Sequence, residues 1–477
     1  MALMMLLLGA LSAWFTWNVY RPTYTGDKTS ALSFFAGWIV GELAPQHVAL
    51  QALLAIMLVS GGALDSLFGN IGMLLLLGSW VALLKEWWGA TETPALVESV
   101  LRRGLGADYR DTVPDDRRQA FDSEIRWKPV VRPFPIALPD VERVADIHYR
   151  RVRGINLRLD VYRSRSAPSN CPTLLQIHGG GWVIGSKNEQ GLPLMQQMAS
   201  RGWVCVSVDY RLSPHATYPD HLVDIKHAIA WIREHGADYG ANPDFLVVTG
   251  GSAGGHLAAL VALTANDPEY QPGFEDVDTS VAGCVPFYGV YDFTNRNANL
   301  YNQGLLKVLE EKVIKASIEE APDEYRKASP LDRLHADAPP FFIIHGDRDS
   351  LVPVEEARQF SSALEEASNE KVLYAEIPGA QHAFEIFPSL RSQAVIDATD
   401  RFLGWLYGSW LEARQDKSPA ADVANDSSSS EAPARVEARK SKTAKSKAGK
   451  AGKAGKAKAD AANGGKGKED PATDTLH

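Results

Sequence analysis

The chain opens with long uncharged, apolar runs and only later settles into short apolar segments that alternate with mixed ones. Residues 1–20 hold no charged side chain and end in Trp14, Trp17 and Tyr20, with Arg21 following at once. About 20 apolar residues carry a helix across a bilayer, and Trp and Tyr gather at its interfaces. A second uncharged run spans Leu43–Leu64, and a third spans Ser66–Leu84 before Lys85-Glu86-Trp87-Trp88. Between the first two lies Ala31–Gly41, too short to span alone and closed by Glu42 and Pro45, which reads as interfacial or as part of a kinked second segment. The pattern predicts a membrane region over residues 1–88 with three crossings, four being the alternative count. A cleaved signal peptide would need a basic n-region and a small-residue cleavage site. One long buried helical hairpin in a soluble domain is the alternative; helices at the surface of such a domain would show a polar face.

Residues 89–145 are charged and Pro-rich, with Pro129, Pro133, Pro135 and Pro139 close together, and predict a linker with one short helix near Pro94–Arg103. Then the alternation begins. Asp146–Val152 and Asn156–Tyr162 read as an antiparallel hairpin across Arg153-Gly154-Ile155. Apolar strands are predicted at Thr173–Ile177, Val204–Val208, Phe245–Thr249, Val281–Phe287, Phe341–Ile344 and Val372–Ile377. Helical spacing appears around Leu192–Arg201, Leu222–His235, Leu257–Leu263, Glu355–Ala367 and Ser392–Leu406, and residues 293–335 read as a polar, mostly helical insertion over the sheet edge. Strands alternating with helices predict an α/β domain over residues 146–411, a mostly parallel sheet with helices on both faces and ligands at the carboxyl ends of its strands.

Composition changes the picture mainly at the far end. From residue 412 to 477 the chain turns to Ala, Ser, Lys, Asp and Gly, with a serine run at Ser427–Ser430 and Lys/Ala/Gly repeats after it, which predicts a disordered basic tail. Its lysines suit anionic lipid headgroups, and a solubilising role is the plainer alternative. The net charge of −9 argues against a nucleic-acid partner for the chain as a whole. Basic residues follow the first apolar run (Arg21, Lys28) and the last (Lys85, Arg102, Arg103), while Asp65 is the only charge in the turn between the last two. With three crossings this puts the α/β domain on the cytoplasmic side; one crossing more or fewer reverses it. Cys171, Cys205 and Cys284 are widely spaced, and the last two sit in apolar runs, so they read as small buried hydrophobes rather than a disulfide or metal framework. No metal or cofactor is implied.

The candidate chemistry centres on Gly250-Gly251-Ser252-Ala253-Gly254, between a β-branched strand and a small-residue helix, the setting of a G-x-S-x-G nucleophile elbow. Ser252 would be the nucleophile, with the Ala253 N–H pointing into the site. A serine needs a base and a group that orients the base, and the fold that this elbow implies orders them Ser, acid, His. Of the twelve histidines, only His382 and the terminal His477 follow both Ser252 and any acid beyond residue 346. His382, in the loop after a strand, is the expected base. The loop His345-Gly346-Asp347-Arg348-Asp349 offers two acids; Asp349, past the glycine turn, is preferred, and Asp347 is the alternative that would otherwise brace the turn. His178-Gly179-Gly180-Gly181 follows the strand Thr173–Ile177 as an oxyanion loop should, its glycines letting backbone N–H groups approach a reacting carbonyl.

Taken together, His178-Gly179-Gly180-Gly181, Asp209-Tyr210-Arg211-Leu212-Ser213-Pro214 and Gly250-Gly251-Ser252-Ala253-Gly254-Gly255 resemble the hormone-sensitive-lipase-like esterases of the α/β-hydrolase fold over roughly residues 145–410. The resemblance implies Ser252, Asp349 and His382 as a triad, Gly180, Gly181 and Ala253, with Gly179, as the oxyanion hole, and Asp209-Tyr210-Arg211 as a buried structural loop. There are two departures. Gly251 stands where members usually carry Asp or Thr, and Ser350-Leu351-Val352-Pro353 follows the acid in place of the common Pro-Leu. Both leave subfamily and acyl preference open. The expected activity is hydrolysis of small-molecule or lipid carboxylic esters by a membrane-anchored serine carboxylesterase. Amide or deacetylase chemistry by the same triad is the second reading, and a silent binding module on a hydrolase scaffold is the third.

Overall fold

The computed structural model describes residues 1–118, 125–134, 136–166, 168–298 and 303–415. The tail expected over 412–477 lies outside the described residues, save for the few that complete the last helix.

The N-terminal region is a helical bundle with one helix set across it. Helices α1 (Ala2–Tyr20), α3 (Ala44–Ser60) and α4 (Leu67–Gly89) form the bundle, and α2 (Asp27–Glu42) meets α3 at a bend of 94°. α1 and α4 run parallel: a Cβ on Gly9 would collide with the Gly72 carbonyl oxygen, and at the other end the Tyr20 hydroxyl donates to the Ala82 carbonyl at 2.8 Å. Small residues let the two backbones approach this closely. α3 runs the opposite way, its start against Phe15 through His47 and its end at Gly61 beside Met1. Gln51 of α3 binds both neighbours, its Oε1 accepting from Ser12 Oγ at 2.9 Å and Trp80 Nε1 at 2.8 Å. Among the described residues two helices are long and apolar enough to cross a membrane, or three if the bent pair counts as one span. The expected second run, Leu43–Leu64, is therefore the 17-residue α3, and Ala31–Gly41 belongs to α2, turned out of the bundle.

Residues after 88 are not a free tether. α4 continues through a short 3₁₀ turn into α5 (Thr93–Leu105), with Pro94 in the first turn, where a missing N–H costs nothing. Its Val97, Val100 and Leu101 are buried in the same core as Leu373 and Phe402 of the α/β domain. α6 (Asp115–Arg118) and α7 (Trp127–Val131) are single turns beyond it.

An eight-stranded sheet follows in the order β1-β2-β4-β3-β5-β6-β7-β8. β1 (Val141–Val152) and β2 (Ile155–Ser164) are the expected hairpin, joined through Arg153 and Gly154 at φ +47° and +80°, the left-handed pair that a tight hairpin turn requires. β3 (Cys171–Ile177), α8 (Leu192–Ser200), β4 (Val204–Val208), α9 (Asp220–His235), β5 (Ala241–Gly251), α10 (Ala253–Leu263) and β6 (Gly283–Phe287) come next. After α11 (Gln303–Val308) and α12 (Pro322–Lys327), the chain closes with β7 (Phe341–Gly346), α13 (Val354–Ala367), β8 (Val372–Ile377) and α14 (Leu390–Gln415). From β3 onward neighbouring strands pair in parallel. β3 and β4 are buried throughout, as strands covered on both faces must be. The expected insertion at 293–335 packs down on the domain: Leu309, Val313 and Tyr325 are buried in the main core, and Val313 accepts from the Tyr218 N–H at 2.9 Å. All three cysteines are buried and unpaired.

Candidate active site

The strand β5 ends in Gly251 and α10 begins at Ala253, so Ser252 alone makes the turn. It sits at φ +59°, ψ −122°, a left-side conformation that costs an L-residue energy and is held here from both sides. Its N–H donates to the Phe287 carbonyl of β6 at 3.0 Å, and its carbonyl accepts from His256 N at 3.0 Å as the first bond of the helix. The side chain is thus presented at the N-terminus of α10, where the first-turn N–H groups lack intrahelical partners and favour negative charge.

The glycine loop lies against this turn. A Cβ on Gly179 would sit 3.0 Å from Ser252 Cβ and 2.6 Å from the Gly251 carbonyl, so only glycine lets the two segments touch. Gly180 and Gly181 take φ +113° and +60°. His178 is braced within the loop, its Nδ1 2.7 Å from the Gly179 carbonyl and its ring stacked on Tyr210 at 4.4 Å. Tyr210 returns a hydrogen bond from its hydroxyl to the His178 carbonyl at 3.0 Å, and Arg211 is buried on Asp224 at 2.6 Å. The Asp209-Tyr210-Arg211 loop is structural, as the resemblance implies. A second histidine near the serine, His256, is fully buried: Nδ1 accepts from Trp182 Nε1 at 3.2 Å and Nε2 faces the Ala328 carbonyl at 2.7 Å. Burial pushes it down to about 3, so it stays neutral and ties glycine loop, α10 and insertion together.

The expected acid and base meet on the other side. Asp349 Oδ2 lies 2.6 Å from His382 Nδ1, with Asp349 1% and His382 5% exposed. Asp349 Oδ1 accepts from the Leu351 and Val352 N–H groups at 2.9 and 2.8 Å. Burial would raise this carboxyl, but His382, His345 and their hydrogen bonds together hold it well below the usual carboxylate range. Asp347, the alternative, instead accepts from Gly379 N at 2.7 Å and braces the turn.

Three residues that sequence reasoning missed complete this side. His345 Nε2 donates between Asp349 Oδ2 at 3.2 Å and the Val352 carbonyl at 2.9 Å. Gln381 Oε1 accepts from Ser350 N at 2.7 Å and His382 N at 2.9 Å, tying acid loop to base loop. Proline at 350 would lack that N–H, so the departure from the family pattern at Ser350 is what makes this tie. Tyr288 explains the departure at Gly251. Its ring lies 4.5 Å from that of His382, and a Cβ on Gly251 would fall 2.5 Å from its hydroxyl. A larger residue before Ser252 and this tyrosine exclude each other. The tyrosine hydroxyl bonds Glu385 at 2.5 Å, and burial pushes Glu385 up to about 7.

The N-terminal helices reach the same loops. Arg348, beside Asp349, donates to the Val19 carbonyl of α1 at 2.9 Å and pairs with Glu86 of α4 at 3.1 Å. Arg391, 2% exposed, bridges Glu42 at 3.2 Å and Glu86 at 2.9 Å while donating to the Pro378 carbonyl at 2.8 Å. Trp38 of α2 donates through Nε1 to the Ala383 carbonyl at 2.8 Å. No spacing in the sequence marks these contacts between the helices and the loops, which join residues more than 250 positions apart.

Sheet order, elbow and glycine loop define an α/β-hydrolase. The BD-FAE family model matches residues 159–364. The probable carboxylic ester hydrolase LipM of Mycobacterium tuberculosis is 38% identical over 421 residues, 88% of this chain and 96% of that protein. Esterase LipQ of the same organism is 39% identical over 392 residues, 81% of this chain and 87% of its own. The chain belongs to the hormone-sensitive-lipase-like esterases, which hydrolyse carboxylic esters. The LipM match is longer than everything after residue 88, so it takes in part of the N-terminal helices. Among solved structures, esterase 2 of Thermogutta terrifontis with butyrate bound aligns with 56% of this chain and 94% of its own at TM-score 0.47 and 28% identity.

Proposed function

We propose that this chain is a membrane-anchored serine carboxylesterase in which Ser252, His382 and Asp349 form the triad. His382 Nε2 takes the Ser252 hydroxyl proton as Oγ attacks the ester carbonyl. The oxyanion that forms is met by the N–H groups of Gly180, Gly181 and Ala253, with Gly179 alongside, and each such donor lowers the barrier by about 3–4 kcal/mol. The imidazolium returns its proton to the leaving alcohol oxygen, and Asp349 holds the ring in the tautomer that keeps Nε2 free to accept. Water then attacks the acyl-enzyme, giving one proton to His382, which passes it to Ser252 Oγ as the acyl–oxygen bond breaks and the carboxylic acid leaves. The observation that carries the reading is the 2.6 Å contact of Asp349 with His382 Nδ1 in a chain whose one strained strand-to-helix serine, among the described residues, is Ser252.

The test is hydrolysis of p-nitrophenyl esters, acetate to laurate, by the full chain in detergent beside Ser252→Ala. A fall in kcat of about 10⁴–10⁶-fold in the variant is expected, with folding unchanged. Turnover that survives the substitution overturns the triad, and turnover of anilides with none of esters favours the amidase reading.

For the membrane, the reading is that α1, α3 and α4 cross and α2 lies at the interface, with the basic loops and the catalytic domain in the cytoplasm. Supporting it are the parallel run of α1 and α4, which requires a return through α3, and the placing of Arg21, Lys28 and Lys85 at one end of the bundle. The lysine-rich segment 412–477 is read as a ligand for anionic lipid. Binding to anionic vesicles that fails to weaken with salt overturns that part.

A further inference from the structure

An aromatic series leads from the catalytic base to the surface along α2. Phe34, 7% exposed, presents its ring to that of His382 at 6.0 Å and 75°, and stacks on Trp38 at 5.1 Å. Trp38 packs on Phe387 at 5.4 Å, and Phe387 meets Phe134, 60% exposed, at 5.8 Å. On the outer side of Phe34, Phe35 is 60% exposed. α2 packs on the end of α1 and the start of α3, with Gly37 against the Asn18 carbonyl and Val19, Val40, Ala44 and Leu83 clustered beside Trp87, which sets the series at the end of the bundle where an interfacial aromatic belt belongs.

Chemistry assigns this wall to one half of the ester. The acyl carbonyl turns its oxygen to the glycine loop and Ala253, away from His382. The alcohol oxygen must face the imidazole, because it receives the proton from Nε2. A ring packed on the imidazole therefore flanks the alcohol portion.

We propose that Phe34 of α2 is a specificity-determining residue that lines the alcohol side of the site, and that the substrate is an ester of a long, apolar alcohol held in the bilayer and reaching the serine along this aromatic series. The proposal rests on the reading of Ser252, His382 and Asp349 as the triad.

The test uses the full chain in detergent micelles and two substrate series, acetates of alcohols from ethyl to dodecyl and p-nitrophenyl esters of rising acyl length. Phe34→Ala should lower the ratio of kcat/KM for dodecyl over ethyl acetate by roughly tenfold, the scale on which one or two methylenes are discriminated in an apolar pocket. The acyl-length ratio should change by less than about threefold on the same scale. Phe34→Tyr keeps the ring and adds a hydroxyl to the wall, and should move the alcohol ratio in the same direction by a smaller factor, which keeps the test decisive if Phe34→Ala fails to fold. An equal loss on every ester in both series means a merely structural role and overturns the proposal. A shift confined to the acyl series overturns the assignment to the alcohol half. Activity surviving Ser252→Ala would instead overturn the triad, and is read independently of either ratio.

Discussion

The two halves of the proposed catalytic centre rest on different foundations. The serine half stands on the sheet: Thr249, Gly250 and Gly251 are buried, α10 is buried along its whole length, and the braces on Ser252 come from β6, α10 and the loop after β3. The acid–base half hangs from loops after β7 and β8, which reach outward to α1, α2 and α4. One half belongs to the α/β core; the other is completed by helices whose composition suits a membrane. The N-terminal region, proposed above as the anchor, also braces the loops that carry Asp349 and His382.

The largest effect should come from within the acid–base pair. Asp349→Asn keeps the shape but lets the amide hold the wrong tautomer of His382, and kcat should fall by about 10⁴-fold. Asp349 is held ionised far below neutral pH, so in wild type the acid limb of the pH–rate profile should not come from this carboxyl. A loss in Asp349→Asn of less than about tenfold would transfer the acid's role elsewhere.

Next comes the joint between bundle and loops. Arg391→Met leaves the buried Glu42 without its cation and removes one of two from Glu86. Breaking a buried pair from one side costs about 3–5 kcal/mol, far more than the pair's net worth. The melting temperature of the full chain in detergent should fall accordingly, and Glu42→Gln in the same background should recover part of it. If Arg391→Met melts like wild type, the bundle and the loops are independent and the contrast between the two halves fails.

The serine half is legible in the sequence because its chemistry is local. Strand, glycines, serine and helix stand within some twenty consecutive residues, and the HGGG run is four. Strand positions are legible for the same reason: β4 and β8 match the apolar runs residue for residue. His382 is reached by chain order alone. What the sequence hides is what depends on distant partners. α5 reads as part of a tether because its apolar face is short, and nothing in the sequence marks Trp38, Glu86 and Arg391 until folding brings them to the loops. Gly251 and Ser350 stand in the sequence as plain departures. Only Tyr288 and Gln381 give them a physical sense.

A smaller effect separates Glu385 from its neighbours. Burial raises this carboxyl from 4.5 to about 7 in the fold, while the unfolded chain keeps the lower value. A raised folded value means that its contribution is fully present below about 4.5 and is lost as pH rises through about 7. The gap between the two values corresponds to something on the order of 3 kcal/mol. Glu385→Gln stays neutral, so between pH 5 and 8 its melting temperature should fall less than that of wild type. Parallel curves would mean that Glu385 titrates normally beside Tyr288.

The smallest expected effect probes the same contrast at a single hydrogen bond. Ala383 follows the proposed base and sits at φ +59°, a conformation that an alanine does not hold unaided. Its carbonyl accepts from Trp38 Nε1 at 2.8 Å, so a helix of the N-terminal region clamps the residue next to His382. Trp38→Phe keeps an aromatic ring to stack on Phe34 and removes only the donor. The net worth of such a bond is about 1 kcal/mol, which predicts a loss in kcat/KM for p-nitrophenyl acetate of roughly fivefold. Because the ring remains, the preference between long and short alcohols should hold while the rate falls. A rate unchanged in Trp38→Phe would mean that the His382 loop keeps its own shape, and that α2 acts on the site through packing alone.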